Sequence, residues 1–350
     1  MNQQATYQLL TGDVTQIFLI SVGAFLLAMM LTPFYTFLAY RYRFWKKQRT
    51  TSTSGEVLQV FNKLHANKFR RNIPTMAGVI GVVTIAVITF VFNLDRGETF
   101  LPLAALVAGA IVGLIDDIIN LRSDGKGVAG LRSSIKFSMI VAIGLAAGAW
   151  FYFQNGIDGV HIPFVGTLVI GWLIIPLFAF VVTATANAVN ISDGLDGLAG
   201  GLLSLSFAAS RAVACVQGQL MLAGFCFTVI GALLSYLWFN IYPARFFMGD
   251  VGSFAFGVAL GVVAILTNSL LLLPVIGVLF VVEAGSSLIQ ILAKRFFKRK
   301  VFISAPIHHH LEAIGWPETK VTMRFWVIGC IAASLGVMLA LAGGHIVWAA

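Results

Sequence analysis

The sequence predicts an all-α polytopic membrane protein: ten transmembrane helices, both termini extracytoplasmic, and one integral-membrane domain over residues 1–350. Three observations carry this. Hydrophobic residues make up 59% of the chain and charged residues 11%, with mean hydropathy +0.91, where a soluble domain has about 25% charged residues. Uncharged apolar runs recur at lengths near the ~20 residues that cross a hydrocarbon core. Finally, 21 of the 23 Lys and Arg fall in alternate inter-run segments.

Val14 to Tyr40 holds no charge and gives the first span. Asn72–Leu94 and Thr99–Ile115 give the second and third, Phe137–Ile157 the fourth, and roughly Phe164–Ala186 the fifth. Leu198–Val216 is the sixth, with Arg211 near its far end, and Gln219–Phe239 the seventh. Val251–Ala293 is too long for one helix; Thr267, Asn268 and Pro274 predict a break that yields the eighth and ninth. Phe325–Val347 is the tenth. The first run is long enough to span and is expected to stay in the mature protein.

With the amino terminus outside, the inner segments are residues 41–71, 116–136, 240–250 and 294–324, together with the junction 187–197. The first four hold nine, four, one and seven cations; only Arg96 and Arg211 fall outside them. Such asymmetry orients a polytopic chain. It also accounts for the net charge of +9 without a nucleic-acid partner. Cys215, Cys226 and Cys330 lie in apolar runs without metal-ligand spacing and read as packing residues.

The chain is organised around Asn187–Gly201, N-A-V-N-I-S-D-G-L-D-G-L-A-G-G. Asn187, Asn190, Asp193 and Asp196 follow one another every three residues between two apolar runs. Such residues are costly in a bilayer and mark function. Gly194 and Gly197 interrupt the helix there. On this topology Asp116-Asp117, Asp250 and His308-His309-His310 reach the same inner face. One acid pair is weak evidence; four convergent clusters are strong. Carboxylates suit a hard cation such as Mg²⁺, which also takes substrate phosphate oxygens. Of Lys68, Arg70 and Arg71, ahead of Pro74-Thr75-Met76, one is expected to meet a pyrophosphate, while the loop as a whole reads as ordinary orienting charge. Asp116 and Asp117 point to different helix faces, so one can hold metal while the other acts on the nucleophile. Three consecutive His are no zinc motif; in P-I-H-H-H-L-E they read as a substrate-contacting lid. Glu283 is an intramembrane acid, equally a buried hydrogen-bonded contact or a group beside a lipid groove.

Pro74-Thr75-Met76, Asp116-Asp117, Asn187 through Ala199, Asn240, Phe247-Met248-Gly249-Asp250, and Pro306 through Glu312 with Gly315-Trp316-Pro317 together resemble the polyprenyl-phosphate N-acetylhexosamine-1-phosphate transferases. The resemblance runs from His65 to Trp326. The acids are common to the superfamily; the P-I-H-H-H-x-E segment is particular to its muramoyl-pentapeptide branch. The resemblance implies a cytoplasmic active site in the bacterial inner membrane, a homodimer and Mg²⁺. It implies transfer of phospho-MurNAc-pentapeptide from UDP-MurNAc-pentapeptide to undecaprenyl phosphate, giving lipid I and UMP in peptidoglycan synthesis. It further implies that Asp250 is the principal Mg²⁺ ligand and that Asp116 and Asp117 are metal-linked or catalytic acids. Asn190, Asp193 and Asp196 would line the nucleotide pocket, Leu195 would wall it, Phe247 would stack on uracil, and Asn240 and His309 would contact substrate.

The first inner loop departs from the family's H-x-x-K-x-G-T-P-T-M-G-G. Counting on from His65 selects Lys68 as the phosphate cation; counting back from Pro74 selects Arg70. Two other readings remain. A sister transferase using UDP-N-acetylglucosamine shares every acid and differs in the His loop. An ion transporter also breaks helices at Asp and Asn, but near the midplane and not at inner ends.

Overall fold

A computed structural model of the chain describes residues 3–45, 72–122 and 130–344, with side chains from Thr15 onward. Its helices, in order, are α1 (Gln3–Arg41), α2 (Gly78–Phe92), α3 (Phe100–Arg122), α4 (Ser133–Asn155), α5 (Ile174–Ser192), α6 (Leu198–Val216) and α7 (Leu220–Asn240), then α8 (Gly249–Leu266), the short α9 (Leu273–Ile276), α10 (Val278–Phe297), the short α11 (Ile307–Ala313) and α12 (Glu318–Ala342). Among the described residues, eight helices are long and apolar enough to cross a membrane: α1, α3 to α8 and α12. α2, with 15 residues, and α10, which carries Glu283, Lys294 and Arg295, occupy the places expected for spans two and nine.

The bundle is built on α8. Every residue of this helix is buried except Asp250. Its contacts are mainly with α3 and α5. On α3 the absence of side chains at Gly109 and Gly113 lets the backbones meet: a Cβ on Gly109 would stand 3.0 Å from the Phe254 carbonyl oxygen, and one on Gly113 would stand 2.5 Å from Val251 Cα. Small-residue contacts of this kind replace the hydrophobic drive that is missing between helices in lipid. The expected break after α8 is present. Asn268 takes a left-handed conformation (φ 51°), and the Thr267 hydroxyl donates to the Val263 carbonyl at 2.9 Å.

Span five is corrected at its start. Phe164 does not begin a helix. It lies in the turn of an antiparallel hairpin, β1 (Gly159–Ile162) and β2 (Gly166–Val169), with Val160 paired to Leu168. Pro163 and Gly166 fix the turn, Phe164 and Gly166 both have positive φ, and the run T-L-V-I is β-prone. Its far end also shifts: α5 continues to Ser192, so Asn187 and Asn190 are helical and the junction shrinks to residues 193–197. The tenth helix likewise starts earlier, at Glu318.

Candidate active site

Asp116 and Asp117 sit near the end of α3, about 100° apart around its axis. Asp116 turns toward α4. Its Oδ1 accepts from the Leu131 amide at 2.7 Å, and its Oδ2 accepts from Asn120 Nδ2 at 3.0 Å and from Lys136 Nζ at 2.8 Å. Asp117 turns toward α8, where its Oδ2 accepts from the Val251 amide at 3.0 Å. Asp250 stands in the first turn of α8, and its Oδ2 accepts from the same Lys136 ammonium at 3.0 Å. Asp116 and Asp250 thus share the Lys136 ammonium, and Asp117 stands beside them on the next position of α3. Their accessibility differs: the side chains of Asp116, Asp250 and Lys136 are 1%, 16% and 22% exposed.

Gly249, just before Asp250, has φ +76°. A Cβ there would lie 2.6 Å from Asp117 Oδ2 and 2.8 Å from the Met76 amide nitrogen. The missing side chain leaves a cradle beside the Asp117 carboxylate. Among the described residues no group of three or more His, Cys, Asp or Glu stands at metal-holding range. Mg²⁺ asks for less, one or two carboxylates completed by water and substrate phosphate. Asp250 and Asp117, hard oxygen donors flanking that cradle, fit it.

The loop before α2 and the loop before α8 are zipped together. The Phe247 amide donates to the Pro74 carbonyl (2.8 Å), Ala77 donates to Phe247 (3.0 Å) and Gly78 donates to Met248 (2.9 Å). Thr75 is buried in this seam; its amide donates to the Phe44 carbonyl at 2.7 Å, and its carbonyl accepts from the Tyr35 hydroxyl. Phe247 is half-buried.

The junction 193–197 is pinned from two sides. Asp196 Oδ2 accepts from the Ala244 amide at 2.9 Å, while the Asp196 amide donates to Glu318 Oε1 at 2.6 Å. Asn240 Oδ1 accepts from the Gly197 amide and its Nδ2 donates to the Phe246 carbonyl, both at 2.9 Å. Asp196, Asn240 and Leu195 are buried, Asp193 half-buried. Asn190 Nδ2 donates to Ser253 Oγ at 2.8 Å, joining α5 to α8. Asn187 instead donates to the Thr183 carbonyl one turn back in its own helix.

The histidines divide. His308 is fully buried, its Nδ1 2.7 Å from Glu283 Oε2, which identifies Glu283 as a buried hydrogen-bonded contact. His309 Nδ1 lies 2.8 Å from Glu312 Oε2. His310 is half-buried and its Nδ1 accepts from the Ile303 amide at 3.3 Å. Lys68 and Arg70 lie outside the described residues.

Lys136, Asn120 and Ser253 are the neighbours that sequence reasoning did not single out. Lys136 left a signal, since it is a cation in the first turn of a membrane helix. In the sequence it reads as one of the four cations of the 116–136 segment.

The profile of glycosyl transferase family 4 matches residues 99–268, the stretch that carries the three clustered acids, the junction and Phe247. A phospho-N-acetylmuramoyl-pentapeptide-transferase of Chloroflexus aurantiacus is 37% identical over 349 residues, covering 96% of this chain and 92% of that protein. One from Chloroflexus aggregans is 38% identical with the same coverage. One from Geobacillus thermodenitrificans is 35% identical over 335 residues, covering 93% of this chain and 98% of its own. With such identity along nearly its whole length, the chain belongs to the phospho-N-acetylmuramoyl-pentapeptide-transferase family.

Proposed function

We propose that the protein transfers phospho-MurNAc-pentapeptide from UDP-MurNAc-pentapeptide to undecaprenyl phosphate, forming lipid I and releasing UMP. The observation that carries this reading is the Asp116, Asp117, Asp250 and Lys136 cluster, at the one place where the buried central helix α8 opens to solvent. Its relatives bear the transferase name along the whole chain. The charge asymmetry supports a ten-span topology with this cluster on the cytoplasmic side of the bacterial inner membrane. A homodimer is the assembly the family resemblance suggests.

The reaction joins two anions. A phosphate oxygen of the lipid attacks the β-phosphorus of the donor, and the bond from that phosphorus to the bridging oxygen breaks. UMP leaves with the electron pair. Mg²⁺ held by Asp250 and Asp117 would supply positive charge against this repulsion. Lys136 adds a fixed ammonium beside it, with Lys68 or Arg70 as a further cation. Both oxygens of Asp116 already accept hydrogen bonds, which suits it to holding Lys136. Asp116 or Asp117 would take any residual proton from the lipid phosphate. Thr75, Asn190, Asp193, Leu195, Asp196, Asn240 and Phe247 form the donor side, Asn187 flanks it, and His308, His309 and His310 form the strap over it.

Purified protein given UDP-MurNAc-pentapeptide, undecaprenyl phosphate and Mg²⁺ is expected to release UMP. Release with UDP-N-acetylglucosamine and none with the muramoyl donor would instead establish the sister activity. A chirally labelled β-phosphorus distinguishes the routes: net inversion means direct transfer, net retention an aspartyl-phosphate intermediate.

A further inference from the structure

One face of α10 carries Glu283, Ser286 and Gln290, three and four residues apart and all buried. Each holds a different point of the strap that leads to the histidines. Gln290 Oε1 accepts from the Val301 and Phe302 amides, and its Nε2 donates to the Phe302 carbonyl, all at 3.0 Å. Ser286 Oγ accepts from the Ile307 amide at 2.9 Å and donates to the Glu283 carbonyl at 2.8 Å. Glu283 Oε2 takes His308 Nδ1 at 2.7 Å. The first two rungs end at the strap backbone; the third continues. A Cβ built on Gly194 would strike His308 Nε2 and stand 3.0 Å from its Cε1. The far edge of the imidazole therefore rests on the Gly194 backbone, between Asp193 and Leu195-Asp196.

We infer that Glu283 is a positioning residue for the donor-binding junction, acting through His308 on the backbone at Gly194. This rests on the proposed reading that residues 193–197 face the nucleotide. The partner of Nδ1 fixes the orientation of an imidazole ring. With Glu283 in place the ring is a stop against which the junction packs, and only a residue without a side chain fits at 194. Anchoring of the strap does not need Glu283, because Ser286 and Gln290 hold it separately. The role therefore belongs to the donor side of the reaction and not to the strap as a whole.

The test uses full-length protein in lipid nanodiscs, with initial rates measured against each substrate in turn. Glu283→Ala is expected to raise KM for UDP-MurNAc-pentapeptide about ten-fold, the scale of one lost buried hydrogen bond to a charged group. It leaves kcat and KM for undecaprenyl phosphate within about two-fold, because no group that touches the reacting atoms is altered. Glu283→Gln keeps an acceptor for the Nδ1 hydrogen and restores most of the donor KM. Gly194→Ala alone raises the donor KM. Combined with Glu283→Ala it costs less than the product of the two effects, because the released ring can swing away from the new methyl group. Should Glu283→Ala fail to fold, the same cycle is read with Glu283→Leu, which fills the space without an acceptor for the Nδ1 hydrogen. An equal rise in both KM values, a change confined to kcat, or multiplicative effects in the cycle would overturn the positioning role. No turnover by the unaltered protein would remove the proposed function and this role with it; normal turnover with unmoved donor KM in the variants removes this role alone.

Discussion

Lys136 Nζ lies 3.0 Å from Asp250 Oδ2, bringing the first turn of α4 against the first turn of α8. The same ammonium lies 2.8 Å from Asp116 Oδ2 on α3. Two consecutive helices, α3 and α4, thus meet the distant α8 at one cation. The shared ammonium holds the Asp116 and Asp250 carboxylates together at this end of the bundle.

Lys136→Met removes that ammonium while keeping much of its apolar stem. Turnover is expected to fall roughly 10²–10³-fold, the scale of one lost preorganised charge in a transfer reaction. The Mg²⁺ concentration for half-maximal rate should also change, since the two carboxylates lose a competing cation. Lys136→Arg keeps the charge but carries a planar fork, and an intermediate rate is expected. A titration of rate against Mg²⁺ for the three proteins reads both effects; full activity in Lys136→Met would remove this residue from the chemistry.

Asp250→Ala tests the metal assignment. Every other residue of α8 is buried, so this is the one position on the helix where truncation leaves the packing intact. The thermal midpoint in detergent should move by no more than about 3 °C. Turnover should disappear, and excess Mg²⁺ should not restore it. Chelation of divalent cations should stop the unaltered protein, and added Mg²⁺ should restart it. Near-normal turnover of Asp250→Ala would move the metal elsewhere.

Asn240→Ala separates architecture from contact. Asn240 bridges Gly197 and Phe246 with two buried hydrogen bonds. Its loss leaves a backbone donor and a backbone acceptor without it, at about 1–3 kcal/mol each before relaxation. A lower thermal midpoint is expected together with a raised donor KM, because both loops flank the junction. A raised KM at an unchanged midpoint would mean that Asn240 acts by touching substrate alone.

How legible this was in the sequence depended on which physical signal each residue left. Apolar runs and charge asymmetry suffice for most helices, because a bilayer imposes length and leaves few alternatives. The acids were visible because carboxylates inside apolar runs have no cheap explanation. The hairpin at Gly159–Val169 was not: Phe164–Val169 is as apolar as a helix, and hydropathy does not separate a short strand from a span. The break at Asn268 was marked by its residue types. The Glu283, Ser286 and Gln290 face has a readable helical spacing, yet nothing in the sequence says that residues 301–308 fold back onto it. Lys136 was hidden by its company, one cation among many that orient the chain.

Gly113 shows how packing far from any charge sets the site. A side chain there would run into the Asp250 carbonyl and stand 2.5 Å from Val251 Cα. Asp116 and Asp117 follow on the next turn of α3, so any separation of α3 from α8 widens the gap between these acids and Asp250. Gly113→Ala is expected to lower stability by about 1–3 kcal/mol through overpacking. It should also reduce turnover by about 10²-fold, the effect of a displacement near 1 Å in a reacting constellation. Gly109→Ala, one turn further from the acids and with 3.0 Å to the Phe254 carbonyl oxygen, should lower stability with a smaller loss of rate. Initial rates and thermal midpoints of the two variants decide the matter. If the rate loss in Gly113→Ala were no larger than in Gly109→Ala, the distance between α3 and α8 would not be what sets the acid cluster.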